Sequence, residues 1–196
     1  MGRVNYNYKD RYLLTVSARY DGSSRLAPGH KWVLFPSAAL AWRVKEESFL
    51  KDVDCLSNLK LRLGWGITGN TAIDPYKTQG SLEYGRYSYG SNGVLAFYQK
   101  EMPNPNLSWE KTEQWNTGID FGFLNGRIGG SVDLYLQNTN DLLMDCQLPI
   151  VSGFGNVTTN IGQIRNKGLE VTLNTVNIDT KDFKWTTDFM LSLIHI

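Results

Sequence analysis

Seven charged residues stand at alternate positions of strand-like segments, where they could build a polar wall. They are Arg19, Arg43, Lys60, Arg62, Asp120, Asp133 and Glu170. Successive side chains of a strand point to opposite faces, so these seven would face away from their apolar neighbours. If the strands enclose a lumen, such residues line it and can contact a hydrophilic substrate or an internal plug. The alternative is that they only solvate the wall or form ion pairs along it.

A second group of candidate residues is aromatic and lies in the longest predicted connection. It comprises Tyr84, Tyr87, Tyr89, Phe97, Tyr98 and Trp109. The face of an aromatic ring is apolar yet tolerates neighbouring hydroxyl groups, so these rings could stack on sugars or pack against a partner protein. Alternatively, they order the loop itself. The sequence leaves both interpretations open.

Catalytic chemistry has little support in the chain. The two histidines, His30 and His195, have no metal-ligand partner at a usable spacing. Ser23 and His30 suggest a hydrolytic pair by residue type alone. Cys55 and Cys146 form neither a metal-binding spacing nor a disulfide framework. We therefore predict a protein that is not an enzyme and that uses no metal and no cofactor.

The segments that position these residues alternate in polarity with a period of two, as amphipathic strands do. Leu61 and Leu63 share one parity, for example, while Lys60 and Arg62 share the other. The alternation predicts eight strands, near Gly2–Tyr8, Arg11–Tyr20, Lys31–Arg43, Asn58–Thr68, Thr112–Phe123, Arg127–Asn138, Arg165–Asn177 and Phe183–Ser192. We expect an all-β protein.

The predicted connections alternate in length along the chain. Short ones lie near 9–11, 124–126 and 178–182, and long ones lie near 21–30, 69–111 and 139–163. Short turns at one rim and long loops at the other are typical of outer-membrane barrels. The stretch 44–57 is intermediate in length, and its segment 46–51 could form one or two helical turns.

Aromatic residues cluster near the predicted strand ends. Trp32 and Trp42 lie at opposite ends of one strand with the same parity, and Trp65 and Trp115 flank the longest connection. Amphipathic rings are stable where lipid headgroups meet hydrocarbon, so two girdles of a transmembrane barrel would explain this placement. The alternative is a soluble β-sandwich in which the rings cap the core.

Composition narrows the class of protein further. The chain has 196 residues and a net charge of +1, so it lacks the basic footprint of a nucleic-acid-binding protein. It has no apolar run of about 18 residues, as a transmembrane helix would need. A barrel strand needs only about 9–11 residues, half of them polar. A membrane interpretation therefore rests on the strands.

Several short motifs, taken in order, resemble one family. They are YKDRYLL at 8–14, DGSSR at 21–25, FPS at 35–37, AWR at 41–43, LKLR at 59–62, GITGN at 66–70, PNPNL at 103–107, WEKT at 109–112, DFGFLNGR at 120–127, NIG at 160–162 and NKGLE at 166–170. Each is weak alone, but their order and spacing are similar to the barrel of SusC/RagA-type TonB-linked outer-membrane proteins of Bacteroidota.

The resemblance carries expectations about fold, location and partners. It implies part of an antiparallel transmembrane β-barrel, about eight strands of a larger 22-strand barrel, with long extracellular loops. It also implies an importer of oligosaccharides or oligopeptides in the cell outer membrane, in contact with lipid and working with a SusD-like surface lipoprotein and the TonB complex. A signal peptide, an N-terminal plug and the earlier barrel strands would belong to such a protein and are absent from this sequence.

Both ends of the sequence look artificial. Met1-Gly2-Arg3 runs directly into strand-like residues, so an exported protein would need an upstream start. The last six residues break the alternation and equal the translation of a common transposon-based library adapter. We therefore expect residues 1–190 to be part of the C-terminal TonB-dependent receptor barrel and residues 191–196 to be adapter read-through, so that His195 carries no chemistry.

Two alternatives to an importer remain open from the sequence. One is a passive porin, which an upstream plug would exclude. The other is a secreted β-sandwich that binds glycan through the aromatic residues between Tyr84 and Tyr98. The sandwich predicts that the apolar strand faces are buried against one another, whereas the barrel predicts that they are exposed to lipid.

Overall fold

The computed structural model describes residues 1–50 and 52–195. Eight long strands form one antiparallel sheet: β1 (Gly2–Tyr8), β2 (Tyr12–Gly22), β3 (Trp32–Arg43), β4 (Leu56–Asn70), β8 (Glu110–Phe123), β9 (Ile128–Asn140), β12 (Gln163–Asp179) and β13 (Lys184–His195). Five short strands lie within the long loops: β5 (Leu82–Tyr89), β6 (Asn92–Gln99), β7 (Glu101–Met102), β10 (Leu143–Gln147) and β11 (Asn156–Asn160). The predicted all-β class and all eight predicted strands are confirmed. The five loop strands were not predicted.

The long strands follow one another in the sheet in chain order, β1-β2-β3-β4-β8-β9-β12-β13. Within the described residues β1 pairs only with β2 and β13 pairs only with β12, so the sheet is open at both edges. An open antiparallel meander of tilted strands is what part of a barrel wall provides. In a second sheet β11 pairs with β10 and with β7, and β5 and β6 form a separate hairpin.

The predicted alternation of short turns and long loops is also present. In the turn between β1 and β2, the Arg11 amide donates to Tyr8 O at 3.0 Å, and both central residues, Lys9 and Asp10, have positive φ. The turn between β8 and β9 has the same form, with Leu124 and Asn125 at its centre. Positive φ at both central positions matches the twist of the flanking strands. A second hydrogen bond, from the Arg127 amide to Leu124 O at 3.2 Å, encloses Asn125 and Gly126, which also both have positive φ.

The connection between β3 and β4 contains a 3₁₀ turn at Val44–Glu46, and a second 3₁₀ turn lies at Ile150–Ser152. The helical turns expected over 46–51 differ from this, because the 3₁₀ turn begins earlier and is followed by hydrogen-bonded turns. Lys51 lies outside the described residues. Across 1–50 and 52–195, no helix has the length and hydropathy needed to span a membrane.

The two faces of the long sheet differ in polarity. We call the face that carries Leu63, Leu134 and Leu193 the apolar face; these three side chains are 44%, 54% and 64% exposed. The opposite, polar face carries Lys60, Arg62 and their cross-strand neighbours. The sandwich alternative is therefore wrong, because it requires the apolar faces to be buried against one another.

Aromatic residues of the apolar face pair at both rims. Tyr12 stacks on Trp42 at the short-turn rim, with ring centroids 6.0 Å apart, and Tyr20 stacks on Trp32 at the long-loop rim at 5.3 Å. Trp65 and Trp115 also meet at the long-loop rim. Their placement fits the two girdles that the sequence predicted.

A glutamate binds girdle residues at each rim. Glu47 Oε1 accepts hydrogen bonds from Tyr12 Oη at 2.7 Å and from Trp42 Nε1 at 3.1 Å. At the other rim Glu113 Oε1 accepts from Trp65 Nε1 at 2.8 Å and from Trp115 Nε1 at 3.1 Å. Neither glutamate was predicted to have a role. Each one fixes the polar edges of two rings whose apolar bodies face outward.

The last residues of the described chain continue β13. Ile194 lies opposite Gly168 on the polar face, and His195 lies opposite Lys167 on the apolar face, in the parity that the sequence indicated. Ile196 lies outside the described residues. The interpretation of 191–196 as adapter read-through stays a prediction.

Candidate functional site

The structure places all seven predicted wall residues on the polar face of the sheet. Arg19 is on β2, Arg43 on β3, Lys60 and Arg62 on β4, Asp120 on β8, Asp133 on β9 and Glu170 on β12. Cross-strand register brings most of them together, because Lys60 lies opposite both Arg43 and Asp120, and Asp133 lies opposite Glu170. Residues directly opposite in antiparallel strands share a face, so the period of two fixed this grouping.

Arg62 is the centre of an ion-pair network on this face. Its Nη2 atom lies 2.7 Å from Asp120 Oδ1 and 2.8 Å from Asp133 Oδ1, and its Nε also donates to Asp120 Oδ1 at 3.0 Å. Lys60 Nζ lies 3.9 Å from Asp120 Oδ2. The guanidinium side chain is 38% exposed, so the network is accessible to solvent and to any ligand in front of the sheet.

A glycine lets Arg62 reach the aspartate two strands away. Gly118 on β8 lies between Arg62 on β4 and Asp133 on β9 in the register. A Cβ atom at Gly118 would clash with Asp133 Oδ1 and would lie 2.9 Å from Arg62 Nη2. The absence of a side chain at position 118 therefore opens the path for the ion pair.

The other three wall residues are arranged differently. Arg19 Nε pairs with Asp21 Oδ2 at 2.7 Å, and its guanidinium carbon lies 5.6 Å from the centre of the Phe35 ring. Arg43 and Glu170 have no ion-pair partner within the described residues. Among the seven wall residues, Arg43 near the short-turn rim and Glu170 beside Asp133 are therefore the two without an ion-pair partner in the described part of the chain.

A depression in the polar face surrounds the free carboxylate. Its lining is largely polar and includes Gln114, Asn116, Tyr135, Gln137 and Glu170, together with Arg62 and Asp133. The Tyr135 ring lies over Gly168, where a Cβ would come within 2.7 Å of the phenolic oxygen. Amides, a phenol and carboxylates can exchange hydrogen bonds with a hydrated ligand without holding it tightly.

The aromatic candidates of the longest loop lie mainly on the β5–β6 hairpin. Tyr84 lies opposite Phe97 on one face, Tyr87 lies opposite Val94 on the other, and Glu83 lies opposite Tyr98. Tyr84, Tyr87, Tyr89, Phe97 and Tyr98 are 70%, 62%, 77%, 68% and 52% exposed. Both faces of the hairpin thus present rings to solvent, and within the described residues no other strand pairs with it.

Salt bridges hold the base of this hairpin. Lys77 Nζ lies 2.7 Å from Glu101 Oε1 and 3.8 Å from Asp145 Oδ2, and the side chains of Lys77 and Glu101 are each only 15% exposed. The hydrogen bond from Lys77 holds the pKa of Glu101 below its usual value, and the same bond raises the pKa of Lys77. Lys100 pairs with Glu83 at 3.2 Å. Glu101 on β7 and Asp145 on β10 belong to different long loops, so Lys77 links the two.

Trp109 is buried, unlike the other five aromatic candidates, so the expectation that it contacts a sugar or a partner protein is wrong. It is 6% exposed and packs edge-on against Phe35, with ring centroids 5.3 Å apart. Its Nε1 donates to Lys31 O at 3.2 Å. With Leu26 and Leu107 these two rings form the buried core of the long loops. For Trp109, the alternative that the ring orders the loops is the one that the structure supports.

The residues whose types suggested catalysis or metal binding do not assemble into a site in the described part of the chain. Ser23 Oγ accepts a hydrogen bond from the Arg25 amide at 3.3 Å, which is local turn geometry. Cys55 and Cys146 are free thiols. The residues that the structure describes contain no group of three His, Cys, Asp or Glu side chains able to hold a metal ion.

Comparison with known proteins identifies the family. The family model for the TonB dependent receptor-like β-barrel matches residues 1–194. TonB-dependent receptor SusC of Bacteroides thetaiotaomicron is 46% identical over 99% of this chain, which covers 20% of that relative. Two solved states of the RagAB peptide importer are each 29% identical to this chain. The "closed-closed" state matches with a TM-score of 0.82, over 97% of this chain and 22% of the RagAB chain. The "open-open" state matches with a TM-score of 0.84, over 98% of this chain and 21% of the RagAB chain.

The chain spans about a fifth of the length of these relatives. The matched family is a family of outer-membrane barrels of Gram-negative bacteria, which agrees with the two-faced sheet, the paired girdle aromatics and the alternating connections. The chain belongs to the TonB-dependent receptor-like β-barrel family, as a SusC/RagA-type segment of the barrel wall.

Proposed function

We propose that the protein containing this chain imports oligosaccharides or oligopeptides across the outer membrane without chemical conversion, together with a SusD-like surface lipoprotein and the TonB complex. The two-faced sheet is the observation that carries the proposal. Its apolar face suits lipid, and its polar face presents hydrogen-bonding and ionic groups to a hydrated solute. The RagAB neighbours, which are described as peptide importers, support a solute of oligomer size.

In this proposal the chain is a fixed wall of the importer. It superposes on the "closed-closed" and "open-open" states of the RagAB importer almost equally well, with TM-scores of 0.82 and 0.84. A segment that changed shape between the two states would match one much better than the other. This supports a static wall, with the movement located in the partner, the loops of other segments or the plug.

The exposed hairpin is the part of this segment that we propose contacts the lipoprotein or the incoming solute. An isolated two-stranded hairpin is marginally stable in water, and both faces of this one carry exposed rings. Anchoring by the Lys77–Glu101 salt bridge keeps it projecting from the long-loop rim. Rings on both faces give it contact area for a protein on one side and for sugar or peptide groups on the other.

A transport assay in the parent organism tests the proposal. The full-length receptor would be compared with a variant in which Tyr84, Tyr87, Tyr89, Phe97 and Tyr98 are all changed to Ser. We expect the variant to reach the outer membrane, to lose most uptake of a fluorescent oligosaccharide or oligopeptide mixture, and to retain less of the lipoprotein encoded beside it on co-purification. The solute that is lost identifies the substrate class.

A matched control removes exposed apolar side chains from outside the hairpin. Ile150 and Val151 are 95% and 96% exposed on the other long loop, and changing both to Ser removes apolar surface without touching the β5–β6 rings. Unchanged uptake in both variants would contradict the role of the hairpin. Uptake that persists after removal of TonB would contradict energised import and would favour the passive porin.

A further inference from the structure

Charged residues on the apolar face of the sheet are confined to one rim. Among the described strands of the long sheet, the Asp, Glu, Lys and Arg side chains with the parity of the apolar face are Lys111, Glu113, Arg165 and Lys167. All four lie at the long-loop ends of β8 and β12, and three of them are cationic. Below them the same face of β8, β9 and β12 is mainly aliphatic and aromatic as far as the short-turn rim, and its polar side chains, Thr117 and Thr175, are uncharged.

The register places these residues on one patch beside the girdle. Glu113 lies opposite Asn138, which lies opposite Arg165, and the Arg165 Nε donates to Asn138 Oδ1 at 2.7 Å. In the next row Trp115 lies opposite Leu136, which lies opposite Lys167. Neighbouring strands are about 4.8 Å apart and alternate residues about 6.8 Å apart, so the long cationic side chains can converge on one or two small anions.

The three cations of the patch are not occupied by structural salt bridges. Within the described residues Lys111, Arg165 and Lys167 form no salt bridge. The neighbouring carboxylate, Glu113, is occupied by the indole N–H groups of Trp65 and Trp115. His195 also faces this way opposite Lys167, but it belongs to the hexapeptide that we expect to be adapter read-through.

We propose that Lys111, Arg165 and Lys167 bind the phosphate groups of the glycolipid in the outer leaflet, while the leucine-rich surface below them contacts its acyl chains. The proposal rests on the proposed function, since it requires the long-loop rim to face the outer leaflet. A guanidinium and two ammonium groups at the depth of an aromatic girdle match a phosphorylated headgroup in charge and position. The site would attach one specific lipid to the wall formed by β8, β9 and β12.

Lipid retention by the full-length receptor tests this inference. The triple variant Lys111→Gln, Arg165→Gln and Lys167→Gln would be purified in non-ionic detergent, and bound phosphorylated glycolipid would be counted by native mass spectrometry. We expect retention to fall by about tenfold or more, since each cation near a membrane surface contributes separately to binding of anionic lipid. The control triple variant Lys9→Gln, Arg127→Gln and Lys181→Gln removes the same charge from turns of the opposite rim and should retain the lipid.

Two further measurements keep the inference open to refutation. Glu113→Gln keeps an oxygen acceptor for both tryptophans but removes the only negative charge from the patch, so it should raise retention about twofold or more. In nanodiscs of phosphatidylcholine, the wild-type receptor should bind added lipid A but not the same lipid with its phosphate removed. Equal binding of the two lipids, or equal retention by both triple variants, would overturn the proposal. Uptake assays report on the import function separately, because a receptor that fails to transport can still retain the lipid.

Discussion

Arg62 and Asp133 are joined by a 2.8 Å ion pair across an intervening strand, and the residue between them is Gly118. β4 and β9 are not neighbours in the sheet, so the pair joins two strands that share no backbone hydrogen bonds. Arg62 also binds Asp120, so three strands share one guanidinium. Side-chain ion pairs on the polar face therefore connect β4, β8 and β9 in addition to the backbone hydrogen bonds of the sheet.

Replacing Gly118 with alanine should break the link between Arg62 and Asp133. The new methyl group would occupy the path of the Asp133 carboxylate, but both charged ends are flexible and about one third exposed, so we expect a loss of less than about 1 kcal/mol. The shift in the denaturation midpoint of the full-length receptor measures this loss. Combining the change with Asp133→Asn should add little, because the ion pair is then already absent.

Gly64→Ala is the matched control for this prediction. Gly64 lies on β4, on the same face as Arg62. The nearest atom to a Cβ added at Gly64 would be Asn116 Cβ at 3.8 Å, which is an ordinary contact. We expect it to leave the stability nearly unchanged. A loss at position 64 equal to that at position 118 would mean that strand glycines in general, and not the blocked ion pair, determine the effect.

Adjacent glycines on β9 should differ sharply in their tolerance of alanine. A Cβ at Gly130 would overlap the backbone oxygen of Thr172 on β12 and would lie 2.9 Å from Phe121 Cζ, whereas a Cβ at Gly129 would meet only Phe121 O at 3.7 Å. Because the strand backbone cannot move away as a side chain can, Gly130→Ala should cost about 1–3 kcal/mol. Thermal unfolding of the two full-length variants measures the difference, and equal melting temperatures would contradict it.

The sequence was sufficient for the long strands because their signal is local. Leu61, Arg62 and Leu63 reveal their faces through alternation alone, and the register then groups the wall residues with no further information. Cross-strand neighbours such as Lys60 and Asp120 could therefore be predicted from parity and strand order.

The buried core of the long loops could not be predicted from the sequence, because its contacts join residues that are far apart along the chain. Phe35 has the parity of the polar face, yet it is buried by Leu26, Leu107 and Trp109, the last of which is 74 positions away along the chain. The parallel pairing of β11 with β7 likewise joins segments from different loops. Such short strands have too few residues for a period to be read. Glu47 and Glu113 were missed because an acidic residue beside a girdle aromatic has no distinctive spacing.

The link between the two long loops should depend on pH. The pKa of Glu101 is lowered by its hydrogen bond from Lys77, so its contribution to loop stability is full above the ordinary carboxyl pKa and is lost as pH falls through the lowered value. The pKa of Lys77 is raised, so its contribution is full below the ordinary lysine pKa and is lost as pH rises through the raised value. Loop stability should therefore be constant near neutral pH and fall at both extremes.

Amide hydrogen exchange within β7, β10 and β11 measures that stability as a function of pH, after correction for the intrinsic exchange rate. The Glu101→Gln variant should show increased exchange at neutral pH and a weaker response to acid. Acid sensitivity identical to that of the wild type would mean that another carboxylate, such as Asp145, controls the loops.

The isolated 196-residue chain should neither insert into a bilayer nor conduct ions. β1 and β13 each have one unpaired edge in the described sheet, and unpaired backbone groups exposed to hydrocarbon cost several kcal/mol each. We expect the chain to aggregate without detergent and to give no single-channel steps in a planar bilayer. Discrete, reproducible conductance steps from the purified chain would contradict this, and the full-length receptor provides the comparison.

The assignment of the apolar face to lipid predicts strongly unequal effects of arginine at neighbouring positions. Leu63 and Val171 lie in the middle rows of the apolar face, whereas Glu170 faces the other way beside Asp133. Arginine at a lipid-facing position near the midplane costs about 2–4 kcal/mol, and lumen-facing changes are milder. Leu63→Arg and Val171→Arg should thus lower the folded, heat-modifiable fraction of the full-length receptor strongly. Glu170→Arg should leave it nearly intact, since the new cation can pair with Asp133. Positions 170 and 171 share one strand and nearly one depth, so equal losses at both would mean that the polar and apolar faces do not divide lumen from lipid.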